Sequence, residues 1–185
     1  MKPSKIVYLA IFLLFLYLFI TRANFVARLV YPFHYSEIIT QEAHKNGLEP
    51  LFIAAVVRVE SGFDKKAKSS KGALGLMQIM PETGLWVAEQ IGMEAFAEEK
   101  LYDPLVNITI GTWYLQDLFC QFDGNKYAAL AAYNGGRTYV SRWLKSGLWD
   151  GTKNELGNIP FPETRFFVLK VDKTYKRYQQ IYQTK

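Results

Sequence analysis

The chain has 185 residues, a net charge of +5 at neutral pH and one cysteine, Cys120. A single cysteine excludes an internal disulfide and a Cys-x-x-Cys metal site, and apolar neighbours predict that Cys120 is a small buried hydrophobe. Lysines and arginines are scattered, which argues against a nucleic-acid-binding protein. The two histidines, His34 and His44, have no third ligand at metal spacing, so we predict no metal and no other cofactor.

The N-terminal segment has the composition of a membrane anchor. A short basic flank precedes an uninterrupted apolar or aromatic run from Ile6 to Ile20. This run is shorter than the roughly 20 residues of a typical spanning helix, but Lys5 and Arg22 at its ends can reach the headgroups and lengthen the span. We therefore predict that 1–31 is an uncleaved signal anchor with a juxtamembrane linker, with a cleaved signal peptide as the alternative. The remaining segment, 32–185, has the length of one ordinary domain.

Glycine and proline divide that segment into predicted helices. In chain order the helices cover 35–46, 50–60, 81–91, 104–122, 126–134, 138–146 and a last stretch from residue 162. Residues 61–74 and 147–161 lack periodicity and are predicted loops. The last helix carries three tyrosines at helical spacing that we expect in the core: Tyr175, Tyr178 and Tyr182. No run alternates like a strand, so the predicted fold is mainly α with at most a small β element.

A single carboxylate, Glu60, stands at the end of the apolar segment 51–59. Apolar surroundings disfavour the charged form of a carboxyl group and raise its pKa. A carboxylic acid that is neutral near pH 7 is what a glycosidase needs to protonate a leaving oxygen. A glutamate at a helix end is more often a solvated surface charge, so the residues that follow must decide between the two interpretations.

Short motifs follow Glu60 in a specific order. They are Glu60-Ser61 with Ala67-Lys68-Ser69, then Gly72-Ala73 with Gly75-Leu76-Met77-Gln78-Ile79-Met80-Pro81, then Asn107-Ile108 with Gly111 and Tyr114-Leu115, then Ala132-Tyr133-Asn134-Gly135-Gly136, and Pro162-Glu163-Thr164-Arg165. Over roughly residues 35–180 this series resembles lytic transglycosylases of the family 23 glycoside hydrolases, which are peptidoglycan-cleaving enzymes with a goose-lysozyme-like domain. One position departs from the family pattern, because Phe167 stands where a tyrosine is usual.

The resemblance implies a lysozyme-like fold of the α+β class with little β, in a single globular domain after the N-terminal transmembrane helix. It also implies cleavage of the β-1,4 bond between MurNAc and GlcNAc with formation of 1,6-anhydro-MurNAc ends. Glu60 would act first as general acid on the glycosidic oxygen and then as general base on the MurNAc 6-hydroxyl. The N-acetyl group of the substrate would stabilise the cationic sugar, and no water would be consumed.

The same resemblance assigns substrate contacts to a set of residues: Ser61, Ser69, Gln78, Met80, Tyr133, Asn134 and Glu163. Structural alternatives stay open for several of them. The Ser61 hydroxyl also suits a helix cap, Asn134 a turn support, and Glu163 an acid placed at a helix N-terminus by the helix dipole. Tyr133 would orient Glu60 or the N-acetyl group. Among the tryptophans, Trp149 has the best position to stack on a sugar, because it lies in a predicted loop.

The expected partners are peptidoglycan glycan strands and, through the N-terminal helix, the cytoplasmic membrane; we expect a monomer. The expected location is the cell membrane, single-pass with the catalytic domain outside, or secretion if the segment is cleaved. Two other functions stay open: a lysozyme-like muramidase and a non-catalytic wall-binding or assembly protein, which Phe167 mildly supports. A muramidase needs a second group that places a water, and no motif puts Asp64 or Glu82 opposite Glu60.

Overall fold

The computed structural model describes residues 5–183. Residues 1–4, which belong to the predicted basic flank, and residues 184–185 lie outside it, as do the side chains of residues 5, 6, 16, 18–21, 23 and 24. The described α-helices are α1 Lys5–Val30, α2 Ser36–Lys45, α3 Pro50–Glu60, α4 Pro81–Gln90, α5 Pro104–Gln121, α6 Lys126–Gly135, α7 Arg137–Lys145 and α8 Pro162–Tyr182. Two short 3-10 turns cover Glu98–Tyr102 and Leu156–Asn158.

Prolines or capping side chains mark the starts of five of these helices. Helices α3, α4, α5 and α8 each start with a proline, whose missing N–H would have no partner in the first turn anyway. Asp103 accepts a hydrogen bond from the Val106 N–H ahead of α5, and Asn125 accepts from two N–H groups ahead of α6. Because these signals are local, the predicted boundaries from 35 to 146 agree with the observed ones to within one residue.

Helix α3 runs through the centre of the domain. Its residues from Phe52 to Val57 are all buried, and it packs against α2 and α8. A helix that is apolar on all sides belongs in a core, and here it carries Glu60 at its last turn towards the surface. The tyrosines of α8 lie against the same core, with Tyr175 and Tyr178 buried and Tyr182 packed at its edge, as predicted.

The chain between α3 and α4 forms a compact loop, which we call the motif loop, residues 61–80. Isolated antiparallel bridges join Leu74 to Lys68 and to Ile79. Within the described residues 5–183, the β structure consists of these two bridges. The mainly α, lysozyme-like architecture with very little β is therefore confirmed.

The prediction that Cys120 is buried was wrong, because the structure exposes it. On α5 the core positions include Leu115 and Leu118, one helical turn apart. Cys120 stands two residues after Leu118, which places it away from that buried face. Apolar neighbours in sequence were therefore a poor guide, since a helix turns successive side chains in different directions.

Helix α1 carries many exposed apolar side chains, from Val7 to Val30. No helix within the described part of the chain combines the length and the apolar character needed to cross a membrane. The segment after α1 is held by the domain, because the hydroxyls of Tyr182 and Tyr178 donate to the carbonyl oxygens of Tyr31 and Pro32 at 2.8 and 2.6 Å.

Candidate active site

Glu60 is the last residue of α3 and remains partly exposed. Burial of the carboxyl group raises the pKa of Glu60 from its ordinary 4.5 to about 8, and the negative charge of Glu163 adds to this effect. Lys170 acts in the opposite direction but is outweighed. The carboxyl group of Glu60 is therefore mostly protonated at neutral pH, which is the state required of a general acid.

Asn107 on α5 anchors the motif loop to that helix. Its side chain is 1% exposed, and its Oδ1 accepts a hydrogen bond from the Met77 N–H at 2.7 Å. Its Nδ2 donates to the carbonyl oxygens of Leu74 and Leu101 at 2.9 and 2.8 Å. One buried amide thus satisfies three backbone groups, as buried polar groups must be satisfied. The sequence placed Asn107 in a motif without indicating this role.

Two glycines allow the loop to approach α5 closely. Gly75 has a φ of +72°, and a Cβ there would overlap the Leu101 carbonyl oxygen and the Asn107 amide. A Cβ at Gly111 on α5 would overlap the Met77 sulfur. Both positions therefore require glycine, one of them for its backbone conformation as well. Gly72, earlier in the loop, also has a positive φ, of +91°.

Tyr133, near the end of α6, is a second anchor of the motif loop. Its hydroxyl donates to the Met77 carbonyl oxygen at 2.7 Å, so α6 and α5 hold the same segment of the loop. Burial raises the pKa of Tyr133 well above its ordinary value, and the neighbouring charge of Glu60 raises it further. The phenol is therefore a neutral hydrogen-bond donor within electrostatic reach of Glu60.

One side of α8 completes the surroundings of Glu60. Glu163, Phe167 and Lys170 follow one another at helical spacing, and the two charged residues act on the pKa of Glu60. The Phe167 ring is buried and lies parallel to that of Tyr133, with 6.3 Å between the centroids. Lys71 of the motif loop donates to Glu163 at 2.7 Å, but both side chains are about 70% exposed, so this pair adds little stability.

A groove lies between α4, α5 and the start of α7. Tyr114 packs against Tyr133 with 5.6 Å between ring centroids, and beyond it opens a cavity of about 430 Å³ that is also lined by Glu82, Trp86 and Arg137. The Arg137 guanidinium lies 5.0 Å from the Trp86 centroid and 5.3 Å from that of Tyr114. Aromatic faces beside a fixed guanidinium suit sugar rings and their polar groups.

Comparisons with known proteins show the family of the chain. Residues 37–156 match the Transglycosylase SLT domain family. The chain belongs to this family. It is 35% identical over 144 residues to the soluble lytic murein transglycosylase of Escherichia coli, covering 76% of this chain and 22% of that protein. It is 31% identical over 172 residues to membrane-bound lytic murein transglycosylase C of Yersinia enterocolitica, covering 79% of this chain and 47% of that protein.

Solved structures of the same kind resemble the SLT domain described here. An inactive Glu-to-Gln mutant of lytic transglycosylase Slt from Pseudomonas aeruginosa matches with a TM-score of 0.76 and 35% identity, over 83% of this chain and 25% of that one. The 70 kDa soluble lytic transglycosylase of Escherichia coli matches with a TM-score of 0.78 and 32% identity, over 83% and 25%. The chain spans between about a fifth and a half of the length of these curated relatives.

Within this SLT domain, all but one of the predicted site residues fall into two groups. Glu60, Tyr133 and Glu163 come together, linked by the electrostatic effects on the Glu60 carboxyl and the Tyr133 phenol. Met80 is 39% exposed just ahead of α4. The other predicted residues use polar atoms to hold the protein's own backbone or side chains: Ser61, Ser69, Gln78 and Asn134.

The bonds of this second group stabilise the loop and the helix ends. The Ser61 hydroxyl donates to the Leu76 carbonyl oxygen at 2.8 Å, which ties the end of α3 to the motif loop. The Gln78 amide donates to the Gly75 carbonyl oxygen at 2.9 Å, and Ser69 Oγ accepts from the Ala73 N–H at 2.9 Å. Asn134 Oδ1 accepts from the Thr164 hydroxyl at 2.8 Å and so joins α6 to α8.

The interpretation of Trp149 as a sugar-stacking residue was wrong. Its ring is 0% exposed, and its indole N–H donates to the Thr152 carbonyl oxygen at 2.9 Å. The loop at 147–161 folds onto the core, with Leu156 and Ile159 buried as well. The aromatic residues that do line the groove, Trp86 and Tyr114, lie on helices. The sequence reading did not single out Arg137, although it directly follows the Gly135-Gly136 motif.

Tyr133→Phe is expected to retain the fold and to lower the rate of glycan cleavage by roughly tenfold to a hundredfold. The ring keeps its packing, but the hydroxyl that donates to Met77 and faces Glu60 is lost. Steady-state cleavage rates measure this effect. Tyr127→Phe, at the other end of α6, is the matched control and should leave the rate unchanged. A Tyr133→Phe rate equal to that of the control would show that the phenol has no part in the reaction.

Phe167→Tyr is expected to be tolerated, with a change in the free energy of unfolding below about 2 kcal/mol. The substitution adds one oxygen to a buried ring that lies parallel to Tyr133. Thermal unfolding and cleavage rates measure the outcome. Phe167→Ala is the comparison and should cost roughly 3–5 kcal/mol, because it leaves a cavity. If the tyrosine variant unfolds as readily as the alanine variant, the site has no room for the oxygen.

Proposed function

We propose that this chain is a peptidoglycan lytic transglycosylase that cleaves the β-1,4 bond between MurNAc and GlcNAc and forms 1,6-anhydro-MurNAc ends. The observation that carries the proposal is the Glu60 carboxyl group, which burial and Glu163 keep protonated at neutral pH, beside the neutral phenol of Tyr133. Family membership supports it, since the similar proteins include lytic murein transglycosylases.

In the first step the Glu60 O–H gives its proton to the glycosidic oxygen, and the bond from that oxygen to C1 of MurNAc breaks. The GlcNAc side leaves as an alcohol, and positive charge develops at C1. The N-acetyl oxygen of the substrate stabilises this charge. Glu60 is then an anion, and Lys170, which favours the ionised form of Glu60, stabilises it at that stage.

In the second step the MurNAc 6-hydroxyl oxygen bonds to C1, and its proton passes to the Glu60 carboxylate. Burial and the charge of Glu163 favour this proton transfer, because both raise the pKa of Glu60. The ring closes, Glu60 is protonated again, and no water is used. The Tyr133 phenol, fixed by the Met77 carbonyl oxygen, positions the carboxyl group or the N-acetyl group.

Substrate contacts are proposed for the residues assigned from the sequence: Ser61, Ser69, Gln78, Met80, Tyr133, Asn134 and Glu163. Glu163 and the exposed Met80 have the most accessible side chains of the set. The groove with Trp86, Tyr114 and Arg137 extends the proposed glycan path beyond Tyr133. The bonded side chains of Ser61 and Gln78 contribute by shaping the motif loop.

A muramidase is the second candidate, and Glu163 is the observation that favours it. Glu163 is the acidic group that acts on Glu60 most strongly, so it could place the water that a hydrolase requires. It forms an ion pair with Lys71 at 2.7 Å. The products of the two reactions differ by one water.

The test uses the full chain, purified in a non-ionic detergent, on isolated peptidoglycan, with the soluble fragments analysed by mass spectrometry. Fragments that end in 1,6-anhydro-MurNAc are expected and would establish the transglycosylase reaction. Reducing MurNAc ends, heavier by one water, would instead support the muramidase. A folded protein that sediments with the wall but releases no fragments would overturn both and leave a wall-binding function.

We further propose that 1–31 anchors the protein in the cytoplasmic membrane and that 32–185, a monomer, acts on its outer side. The apolar run from Ile6 to Ile20, with Lys5 and Arg22 at its ends, and the exposed apolar side chains of α1 support this arrangement. The similar proteins include membrane-bound and soluble enzymes. Alkaline extraction of membranes containing the full chain tests the anchor, and release into the soluble fraction would favour the secreted alternative.

A further inference from the structure

The second half of α8 holds an unusual concentration of positive charge. Of the eight residues at 170–177, four are lysine or arginine and one, Asp172, is acidic. This short stretch therefore carries a net charge of +3, four positive charges minus one negative, in a chain whose total is +5. Positive charge gathered on one side of a helix attracts anionic surfaces.

Three of these four cations line an open cavity of about 640 Å³. Tyr31 and Leu169 contribute to its lining. Four basic side chains line it as well: Lys153, Lys173, Lys176 and Arg177. We call this the basic pocket. Lys153 comes from the loop at 147–161 and the others come from α8, so the pocket exists only after the loop has folded onto the helix.

A buried carboxylate holds part of the basic pocket in place. Asp172 is 1% exposed, and its oxygens accept hydrogen bonds from Lys126 at 3.0 Å and Lys153 at 2.6 Å, with Lys176 at 3.4 Å. Burial alone would raise the pKa of Asp172, but the bonds from Lys153 and Lys126 outweigh it and lower the pKa to about 2. One negative charge thus faces three ammonium groups, and positive charge remains in excess at the pocket.

The basic pocket opens where α1 joins the domain. Tyr31, which lines it, is the first residue after α1. The guanidinium groups of Arg58 and Arg177 lie 4.6 and 5.9 Å from the Tyr31 ring centroid, and Arg28 lies 5.4 Å from that of Tyr182. Tyrosines interleaved with arginines are typical of segments at the headgroup level of a membrane.

Exposed apolar side chains lie on the same side of α8. Leu169 lines the pocket and is 43% exposed, and Phe166, one turn earlier, is 71% exposed. With Lys173 and Lys176 they follow the spacing of one helical face. A hydrophilic polyanion would gain nothing from such apolar groups, whereas a lipid surface offers both phosphate and hydrocarbon. The combination therefore favours a lipid over a charged polymer.

We propose that the basic pocket binds the headgroup phosphates of anionic phospholipids and seats the SLT domain on the membrane surface beside the end of α1. The inference rests on the proposed membrane association of α1 and not on the chemistry of Glu60. Lys173, Lys176 and Arg177 bind phosphate, while Leu169 contacts the upper acyl chain. The domain is thereby held close to the bilayer instead of moving freely at the end of the anchor.

The test is native mass spectrometry of the full chain released from a non-ionic detergent, with phosphatidylglycerol or phosphatidylcholine added. We expect phosphatidylglycerol to bind at least roughly tenfold more tightly, since each basic residue near an anionic surface contributes severalfold in affinity. The triple variant Lys173→Gln, Lys176→Gln, Arg177→Gln should lose this preference. Asp172 keeps Lys126 and Lys153 in that variant, and thermal unfolding verifies its fold.

A matched control removes the same charge elsewhere, with Lys65→Gln, Lys66→Gln and Lys100→Gln at exposed positions outside α8, and should keep the preference. Equal binding of both lipids, or a preference that survives the triple variant, would overturn the proposal even if the anchor and the glycan cleavage stand. Displacement of phosphatidylglycerol by millimolar inorganic phosphate would also overturn it, because the pocket would then recognise phosphate without the lipid.

Discussion

Glu60→Gln is expected to lower glycan cleavage by about a thousandfold or more, because the amide can neither donate a proton to the glycosidic oxygen nor take one from the 6-hydroxyl. The two side chains have nearly the same shape, so the packing at the end of α3 should persist. Release of soluble fragments from peptidoglycan measures the loss. Glu89→Gln, an exposed position on α4, is the control and should keep full activity. More than a few per cent of activity in Glu60→Gln would remove Glu60 from the acid and base roles.

The same variant should be more stable than the parent at neutral and higher pH. The pKa of Glu60 is about 8 in the fold against 4.5 ordinarily, so the folded state binds more protons than the unfolded state between these values. Stability therefore falls as pH rises from about 4.5 to 8. Glutamine removes this penalty, and we expect a gain of roughly 1–3 kcal/mol at pH 8. Thermal unfolding at pH 4 and pH 8 measures it, and an equal gain at both pH values would contradict this origin.

The pH dependence of the cleavage rate should report the pKa of Glu60 as well. The first step requires protonated Glu60, so the cleavage rate is expected to fall on the alkaline side with an apparent pKa near 8. Lys170→Gln removes a charge that lowers the pKa of Glu60. In this variant the alkaline limb of the pH–rate profile should therefore move to higher pH. A limb near 4.5 would mean that the Glu60 carboxyl is fully hydrated.

Asn107→Leu is expected to cost about 3–5 kcal/mol, because it leaves three backbone groups without partners in the core. Those groups are the Met77 N–H and the carbonyl oxygens of Leu74 and Leu101. Since the Met77 carbonyl oxygen also receives the Tyr133 hydroxyl, cleavage should fall as well. Urea unfolding of the full chain in detergent measures the stability.

The control for Asn107 is Thr112→Val, another fully buried position on α5. The Thr112 hydroxyl makes a weak hydrogen bond to the Met77 sulfur at 4.0 Å, so its loss should cost less than about 1 kcal/mol. If both variants lose similar stability, the cost would come from disturbing α5 in general. If Asn107→Leu is as stable as the parent, the three bonds do not anchor the loop.

Local sequence was sufficient for the helices and for the raised pKa of Glu60. Proline at the helix starts, and side chains such as Asp103 and Asn125 ahead of them, act within a few residues, so they can be recognised without a fold. The apolar segment before Glu60 likewise predicted a raised pKa from its neighbours alone.

Contacts between distant segments were decided only by the tertiary structure. Asn107 reaches Met77, 30 residues away, and Glu163 reaches Lys71 across 92 residues. Trp149 is buried because its loop folds onto the core, and Cys120 is exposed because the turn of α5 points it outward. The sequence by itself determined the helices, the raised pKa of Glu60 and the family. The tertiary structure decided which polar side chains support the motif loop and which surround Glu60, because bonding and burial depend on elements that no local pattern brings together.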